Sequence, residues 1–203
     1  IILGLASDFP ALKLVSTFNR TDILKREEYV VRSHAEGLYV LGASDLAVQH
    51  GMWDLLARLG YRQFFPGKHW EVVPYLQRME IAVDTIEKPD YHSRRIWYGY
   101  GAWDYAKEPY RDWCEKNRAL QGVNLSTGHA YDGIVKALKK EFANHNEYWP
   151  LLNNERKEVR NPKPCLGNPG VRSLIVRNAV EQVRKNPLLD SVSMDPSDGG
   201  GWC

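Results

Sequence analysis

The sequence is poor in cysteine and contains no long apolar run. Its three cysteines, Cys114, Cys165 and Cys203, are odd in number and widely spaced, and none belongs to a Cys-x-x-Cys pair. This spacing signals neither a zinc site nor a disulfide framework. Because no His-Glu-x-x-His or similar spacing joins the histidines, we expect no metal and no cofactor. No segment approaches the ~20 apolar residues of a membrane helix, so we expect no membrane span.

An excess of charge of one sign is also missing. The chain of 203 residues has 27 basic and 25 acidic residues, a net charge of +2, and they are dispersed along it. Without a basic stripe, we expect no nucleic-acid partner. Because the sequence lacks an initiator Met, we interpret it as a fragment of a longer protein. It also lacks a signal peptide, but truncation would have removed one, and we expect the protein to be secreted or periplasmic.

Aromatic residues, in contrast, are abundant. They make up 11% of the chain and include seven tryptophans, within a hydrophobic content of 43% that is sufficient for a proper core. Aromatic faces are the surfaces on which sugar rings stack, although packing in the core is the more common role for any single tryptophan. The composition therefore fits a globular protein and leaves open a carbohydrate partner.

Residues 1–88 predict a small α+β domain. A helix is expected over 43–59, because leucines recur at helical spacing, Ser44 offers an N-cap and Gly60 ends the pattern. Short β-branched or apolar runs surround this helix, and two of them are separated by only three residues, as in a hairpin. The predicted strands cover residues 1–6, 28–33, 37–41, 61–65, 71–73 and 80–83. Such an order favours a sheet covered by one helix.

Residues 89–203 predict the first part of a TIM-type (β/α)8 barrel, so that the whole chain belongs to the α/β class. Strands are expected over 94–98, 122–127 and 190–194, and helices over 110–120, 132–144 and 171–185. Asn168 is the expected N-cap of the last helix, with Pro169 at its first position. The loop at 145–168 is long, which is typical of a segment that serves a site. About three of eight βα units are present, so we expect sequence after residue 203 to supply the remaining half of the barrel.

The predicted last strand leads into Asp195 and Asp198, the latter followed by three glycines. Side chains at the carboxyl ends of barrel strands converge on one rim, where active sites lie. A glycoside hydrolase needs a carboxylic acid and a second group that stabilises the developing positive charge. We therefore name Asp198 and Asp195 as candidate catalytic residues; the family resemblance described below implies that Asp198 is the preferred one. The alternative is a plain turn, because Asp, Pro, Ser and Gly are all turn formers.

Other polar and aromatic side chains fit a sugar-binding rim. His129 follows a glycine at a predicted strand end and can bind a hydroxyl or assist proton transfer. Either Arg94 or Arg95 can face inward from the first barrel strand, since alternation allows only one of them to do so. The remaining candidates are His145, Tyr148 and Trp202. For each of them a structural role is the alternative, such as fixing the long loop or lying at a domain junction.

Five motifs give the sequence a resemblance to a known family. DWCEKNR, STGHAY, HNEYWPLLNNERK, CLGNPGV and VSMDPSDGGGWC resemble, in order and spacing, the bacterial family called domain of unknown function 4838. In the first half, EGLYVLGASDLAVQHGMWDLLARLGYRQFFPGKHWEVVP resembles the non-catalytic domain that precedes the barrel in family 20 hexosaminidases and α-glucuronidases. The sequence departs from the family pattern in HNEYW, where HPEYF is usual, and at Asn153-Asn154, which replaces a glycine.

These resemblances imply a carbohydrate-active enzyme. The expected function is an exo-acting glycoside hydrolase, hexosaminidase-like or glucuronidase-like, whose substrate is a complex polysaccharide or glycoconjugate. Because the rim is incomplete in three barrel units, we expect the 203-residue fragment by itself to be inactive. The alternative is a non-catalytic carbohydrate-binding module that keeps the aromatic rim without the chemistry.

Overall fold

The computed structural model describes residues 1–14, 18–94, 103–123, 125–126, 128–159, 161 and 163–202. Within these ranges the fold is mixed α/β, with five α-helices and three small sheets. The contacts divide the chain into two compact units, Ile1–Val123 and Asn124–Cys203. Each unit is described by itself below. In the described part of the chain, no helix is long and apolar enough to cross a bilayer.

The described part of the first unit contains six short strands. They are β1 Ile2–Leu5, β2 Tyr29–His34, β3 Gly37–Gly42, β4 Arg62–Gln63, β5 Glu71–Val72 and β6 Asp84–Glu87. Four of them form a sheet with the order β1-β3-β2-β6. Strands β2 and β3 form an antiparallel hairpin, β1 pairs parallel to β3, and β6 pairs antiparallel to β2. A separate two-stranded ribbon joins β4 to β5.

Helix α1, Asp45–Arg58, covers one face of this sheet. The Ser44 hydroxyl caps it by accepting a hydrogen bond from the Ala47 amide. Successive residues of a strand point to opposite faces, and accordingly Val31 joins the cluster beneath α1 while Val30 joins the cluster on the other face. The helix approaches the sheet at Gly51, where a Cβ would lie 2.6 Å from a methyl of Val40. The predicted strand–helix order of this region is therefore found, with a covering helix as expected.

One strand prediction in the first unit is wrong. Residues 80–83 were expected to form a strand, but the ladder begins at Asp84, whose carboxylate accepts a 2.7 Å hydrogen bond from Arg32 across the strand pair. The apolar residues just before it pack beside the sheet instead, since Ile81 and Val83 contact the cluster under α1.

Helix α2, Asp104–Lys116, belongs to the first unit. The indole of Trp113 donates to the Gln63 carbonyl at 3.1 Å, and the Lys116 ammonium lies 2.6 Å from Glu71 Oε1. The contacts therefore divide the chain after Val123, not near residue 88. That residues 1–88 form a domain of their own stays a prediction. Residues 95–98 of the expected first barrel strand lie outside the described residues.

The second unit is mainly helical. It contains α3 Tyr131–Ala137, α4 Lys139–Asn144 and α5 Pro169–Lys185, with a small hairpin of β7 Leu151–Leu152 and β8 Glu155–Arg156. The helix expected over 132–144 is broken at Leu138, whose backbone leaves the helical region. Asn153 and Asn154 both have positive φ angles, as the two-residue turn of a tight hairpin requires.

Helix α5 confirms the prediction for the last helix. The Asn168 side chain accepts a 2.8 Å hydrogen bond from the Gly170 amide, and Pro169 occupies the first turn. Its buried side chains Val171, Leu174 and Ile175 pack against α3, α4 and the aromatic residues around Trp149. Gly170 is required there, because a Cβ would lie 2.8 Å from the Tyr148 hydroxyl.

The strands expected over 122–127 and 190–194 are not formed in the described residues. A single parallel bridge, between His129 and Asp195, joins these two parts of the chain. The hydroxyl of Ser193 donates to the Gly128 carbonyl at 2.7 Å, a hydrogen bond that a backbone amide would make in a strand ladder. The fold is thus mixed α/β, as predicted, and the described residues contain no barrel sheet.

Candidate functional site

The His129–Asp195 bridge brings two distant chain segments together at one end of the second unit. The Ala130 amide donates to the Asp195 carbonyl at 2.9 Å, directly beside the bridge. As a result, the Gly128-His129 pair lies against the turn that runs from Asp195 to Asp198. The candidate site of the sequence analysis is therefore assembled around this contact.

Asp195 holds the turn together. Its Oδ2 accepts a 3.1 Å hydrogen bond from the Gly128 amide and lies 3.0 Å from the Ser193 hydroxyl, whose single proton is shared with the Gly128 carbonyl. The Ser193 oxygen in turn accepts from the Asp195 amide at 3.3 Å. Because these bonds engage the carboxylate locally, the geometry favours a structural role for Asp195.

His129 lies between two oxygen atoms. Its Nδ1 is 2.9 Å from the carbonyl oxygen of Pro196, and its Nε2 is 3.2 Å from Asp198 Oδ2. A carbonyl only accepts, so Nδ1 carries a proton; the proton facing Asp198 is then shared along the line from Nε2 to Oδ2. The bond to the Pro196 carbonyl, followed by the charge of Asp198, raises the pKa of His129 above its usual value. This arrangement favours the imidazolium form.

Asp198 is the most accessible acidic group of this cluster. Its side chain is 93% exposed, and in the described residues its only side-chain contact is His129. Gly199 and Gly201 follow it with positive φ angles, and a Cβ at any of the three glycines would meet open space. One carboxylate oxygen therefore faces His129 while the other is free for a ligand.

A side chain that the sequence analysis missed supports the Asp198 backbone. Lys163 donates from its ammonium to the Asp198 carbonyl oxygen at 2.8 Å, and its Nζ lies 5.6 Å from the ring centre of Trp202. Only 1% of Lys163 is exposed. Its position in the sequence, between two prolines, carried no signal of burial, because lysine is normally an exposed residue. Trp202 remains 47% exposed.

His145 and Tyr148 fix the long loop. The His145 Nδ1 is 2.9 Å from Glu147 Oε1, and its ring stacks on Tyr148 with 4.6 Å between ring centres. Tyr148 in turn packs on Phe142 in the core of the second unit. Among the described residues, no contact joins either side chain to His129 or Asp198. These contacts fit the loop-fixing role that stood as the alternative for His145, while the rim role of Tyr148 stays a prediction.

Arg94 is placed in the first unit. Its guanidinium pairs with the carboxylate of Glu27, which is 2% exposed, and it also donates to the backbone carbonyls of Tyr91, Arg118 and Leu120. These bonds engage Arg94 within its own unit, where it neutralises a buried charge. Arg95, the other candidate, lies outside the described residues.

A cavity of about 430 Å3 opens beside His129. Apart from His129, its described lining is uncharged: small apolar residues, hydroxyls and two amides, with Gln182 donating to Asn178 at 2.7 Å. The lining residues are Ser126, Gly128, His129, Ala130, Gly133, Ile134, Ala137, Asn178, Gln182 and Ser193. Hydroxyl and amide groups of this kind hydrogen-bond a neutral polar ligand.

The described residues contain no group of three or more His, Cys, Asp or Glu side chains arranged to hold a metal ion. The chemistry that the site offers is instead that of its own side chains. An imidazole and a carboxylate lie 3.2 Å apart at the surface, the imidazole at the edge of a cavity whose other described lining residues are uncharged, and a half-exposed indole is in the same turn as the carboxylate.

This mixed α/β protein, with a histidine–aspartate pair at a glycine-rich turn, falls within a protein family. Residues 65–203 match the family described as Domain of unknown function (DUF4838). The match covers more than half of the chain and includes both His129 and Asp198, so the chain belongs to this family, as its motifs predicted. No curated protein and no solved structure matches it. The likeness of the first half to the hexosaminidase domain stays a prediction.

Proposed function

We propose that the protein is a glycoside hydrolase that acts on a complex polysaccharide or glycoconjugate, with Asp198 and His129 as its proton-transfer pair. The observation that carries the proposal is the 3.2 Å contact between His129 Nε2 and Asp198 Oδ2. Hydrolysis of a glycosidic bond needs a proton delivered to the leaving oxygen and a negative group beside the sugar ring. A shared proton and an exposed carboxylate oxygen meet both needs at one place.

Asp198 has two possible roles in this reaction. His129 can pass its Nε2 proton to Asp198, whose carboxyl group then protonates the glycosidic oxygen; the water that attacks the sugar carbon releases a proton that returns His129 to its charged form. Alternatively, the carboxylate orients an acetamide of the substrate, which itself attacks the sugar carbon. Both roles require Asp198 to reach the substrate, and its 93% exposure supports that.

Apart from His129, whose two ring nitrogens already face Pro196 and Asp198, the described cavity lining is uncharged, and this supports a neutral sugar over a uronic acid. A uronic carboxylate would call for arginine or lysine, because an unpaired charge is costly to bury. The described lining contains neither, and Arg94 is engaged by Glu27. We therefore favour the hexosaminidase-like alternative over the glucuronidase-like one, with the cavity as the place of the ring or its substituent.

We also propose that the second unit is part of a (β/α)8 barrel. In support, the His129–Asp195 bridge is parallel, and helices α3 to α5 lie between its two partners in the chain. This is the order of a parallel strand, a helical crossover and a second parallel strand. The rim position of the two residues then follows from the rule that barrel sites lie at the carboxyl ends of strands.

The second candidate function is a carbohydrate-binding module. Its support is the solvent exposure of the His129–Asp198 pair. The Asp198 side chain is 93% exposed, whereas a proton donor is usually more enclosed. Trp202, at 47% exposed, would be the stacking platform of such a module.

Hydrolysis of aryl glycosides separates these candidates. The natural full-length protein is incubated with aryl glycosides of neutral hexoses, of N-acetylhexosamines and of uronic acids. We expect release of the aryl group from a neutral or N-acetylated sugar and none from the uronide. Retention of the protein on an oligosaccharide matrix, with no release from any aryl glycoside or oligosaccharide, would instead support the binding module.

A further inference from the structure

Lys163 is the only buried lysine in the described part of the chain. Removing an ammonium group from water is expensive unless it is paired. The partners that the structure gives it are both in the turn after Asp195: the carbonyl oxygen of Asp198 and the ring of Trp202. The buried ammonium of Lys163 therefore contacts the same turn that carries the candidate catalytic carboxylate of Asp198.

Ser197, which is 5% exposed, donates to Asp132 Oδ1 at 3.2 Å, and beyond it that segment has few other constraints. The three glycines after Asp198 have no side chains to pack, and nothing lies within 4 Å of where their Cβ atoms would be. A glycine-rich turn loses much conformational freedom when it is held in one shape. In the described residues, the contacts that hold Asp198 are the bond from Lys163 to its carbonyl and the contact of its carboxylate with His129.

We propose that Lys163 is the positioning residue of this turn, an inference that rests on the function proposed above for Asp198. The charge-assisted bond from its ammonium fixes the Asp198 backbone, which sets the carboxylate against His129. The same ammonium attracts the ring of Trp202, which keeps the indole in place as a surface for a sugar ring. Lys163 acts through both residues and does not contact the substrate.

The shape of the lysine explains its use here. Its four-carbon stem is buried with it and delivers one compact charge to the turn. A carbonyl oxygen and an aromatic face both accept a cation, whereas neither satisfies a carboxylate. Exchange of Lys163 for methionine keeps the volume of the stem and removes the charge and the donor.

Hydrogen–deuterium exchange of the natural full-length protein tests this directly. In Lys163→Met, we expect the backbone amides that bond to this turn, those of Gly128 and Ala130, to exchange about tenfold faster, the factor that corresponds to loss of one charge-assisted hydrogen bond. Lys163→Arg should restore part of the protection. The matched control is Lys157→Met, because Lys157 is 49% exposed and pairs only with Glu155; it should leave these amides unchanged.

A second variant covers the possibility that Lys163→Met does not fold. Trp202→Leu removes the ring contact from a half-exposed position, and we expect faster exchange of the same amides. Unchanged exchange in a folded Lys163→Met protein would overturn the inference. If Lys163→Met does not fold, unchanged exchange in Trp202→Leu would overturn it.

Hydrolysis provides the functional readout and separates this inference from the proposed function. If Lys163 positions Asp198, Lys163→Met lowers kcat more than it raises KM, and Lys163→Arg recovers activity. Hydrolysis by the unmodified protein together with an unaltered kcat in Lys163→Met would overturn the inference alone. Faster exchange in Lys163→Met, with no hydrolysis by the unmodified protein, would overturn the proposed function alone.

Discussion

His129 Nε2 lies 3.2 Å from Asp198 Oδ2, while its Nδ1 faces the carbonyl of Pro196. Both ring nitrogens therefore meet acceptors that come from the same turn. The protonation of His129 therefore depends on the position of the Asp198 carboxylate, and the contact between them weakens when His129 loses its proton as the pH rises.

The first prediction concerns the pKa of His129. Because its pKa is raised in the folded protein, its contacts with the turn contribute fully below pH ~6.5 and are lost as the pH rises through the raised value. Asp198→Asn removes the charge and should lower the pKa, although the Pro196 carbonyl still favours the protonated ring. The rate of carbethoxylation of His129 against pH, followed by peptide mass spectrometry, measures this shift.

The exposed His69 of the first unit is the internal control. Its modification profile should be the same in both proteins. An unchanged midpoint for His129 in Asp198→Asn would show that the two side chains do not interact in solution.

The second prediction distinguishes a structural Arg94 from a sugar-binding one. Glu27 is 2% exposed and pairs with Arg94, so Arg94→Met leaves a buried carboxylate without its partner. Loss of one member of a buried pair typically costs about 3–5 kcal/mol. We expect chemical denaturation to show a loss of this order, with partial recovery in the double variant Arg94→Met/Glu27→Gln.

Arg78→Met is the matched control, because Arg78 and Glu80 form a pair at the surface, where an ion pair contributes at most about 1 kcal/mol. If Arg94→Met kept the stability of the unmodified protein and raised KM alone, Arg94 would be a substrate-binding residue after all.

The third prediction tests the cavity beside His129. Gly133 lies in helix α3, lines the cavity, and a Cβ there would meet open space. Gly133→Leu should fill the cavity and raise KM for the substrate by about tenfold or more, as loss of a well-filled site does. Gly133→Ala adds one methyl and should leave KM nearly unchanged, while it stabilises the helix by ~1 kcal/mol.

Steady-state kinetics on the same aryl glycoside compare the two variants. If the KM of a folded Gly133→Leu protein equals that of the unmodified protein, the substrate does not enter this cavity. The preference for a neutral sugar would then lose its main support.

Local sequence signals predicted much of the fold. Helix α5 could be recognised from Asn168 and Pro169, and α1 from Ser44 and its leucine spacing, because caps and helical periodicity are short-range properties. In the described residues the strands expected at 122–127 and 190–194 are not formed, and beside them the side chains of Ser193 and Asp195 bond the backbone of Gly128. Competition of this kind depends on which segments meet in space, and the sequence pattern does not contain it.

The candidate site was predictable in part for the same reason. Asp198, Asp195 and His129 could be named because a glycine or a turn adjoined each of them. Their mutual arrangement depends on one parallel bridge. The partner of Arg94, by contrast, is Glu27, far away in the sequence, and no local pattern marks such a pair. Lys163 was missed because its burial goes against the normal preference of lysine for the surface.

Hydrolysis by the Asp198→Asn variant tests the central claim most directly. The Asn side chain keeps the size of the carboxylate and removes its charge and its proton. General acid–base catalysis typically contributes about 10²–10⁴-fold, so we expect kcat of the natural full-length protein to fall by that factor with the fold intact. Asp195→Asn should cost less activity and act mainly through the turn that it holds. Near wild-type kcat in Asp198→Asn, together with an inactive but folded Asp195→Asn, would reverse the assignment, and full activity in both would contradict the account.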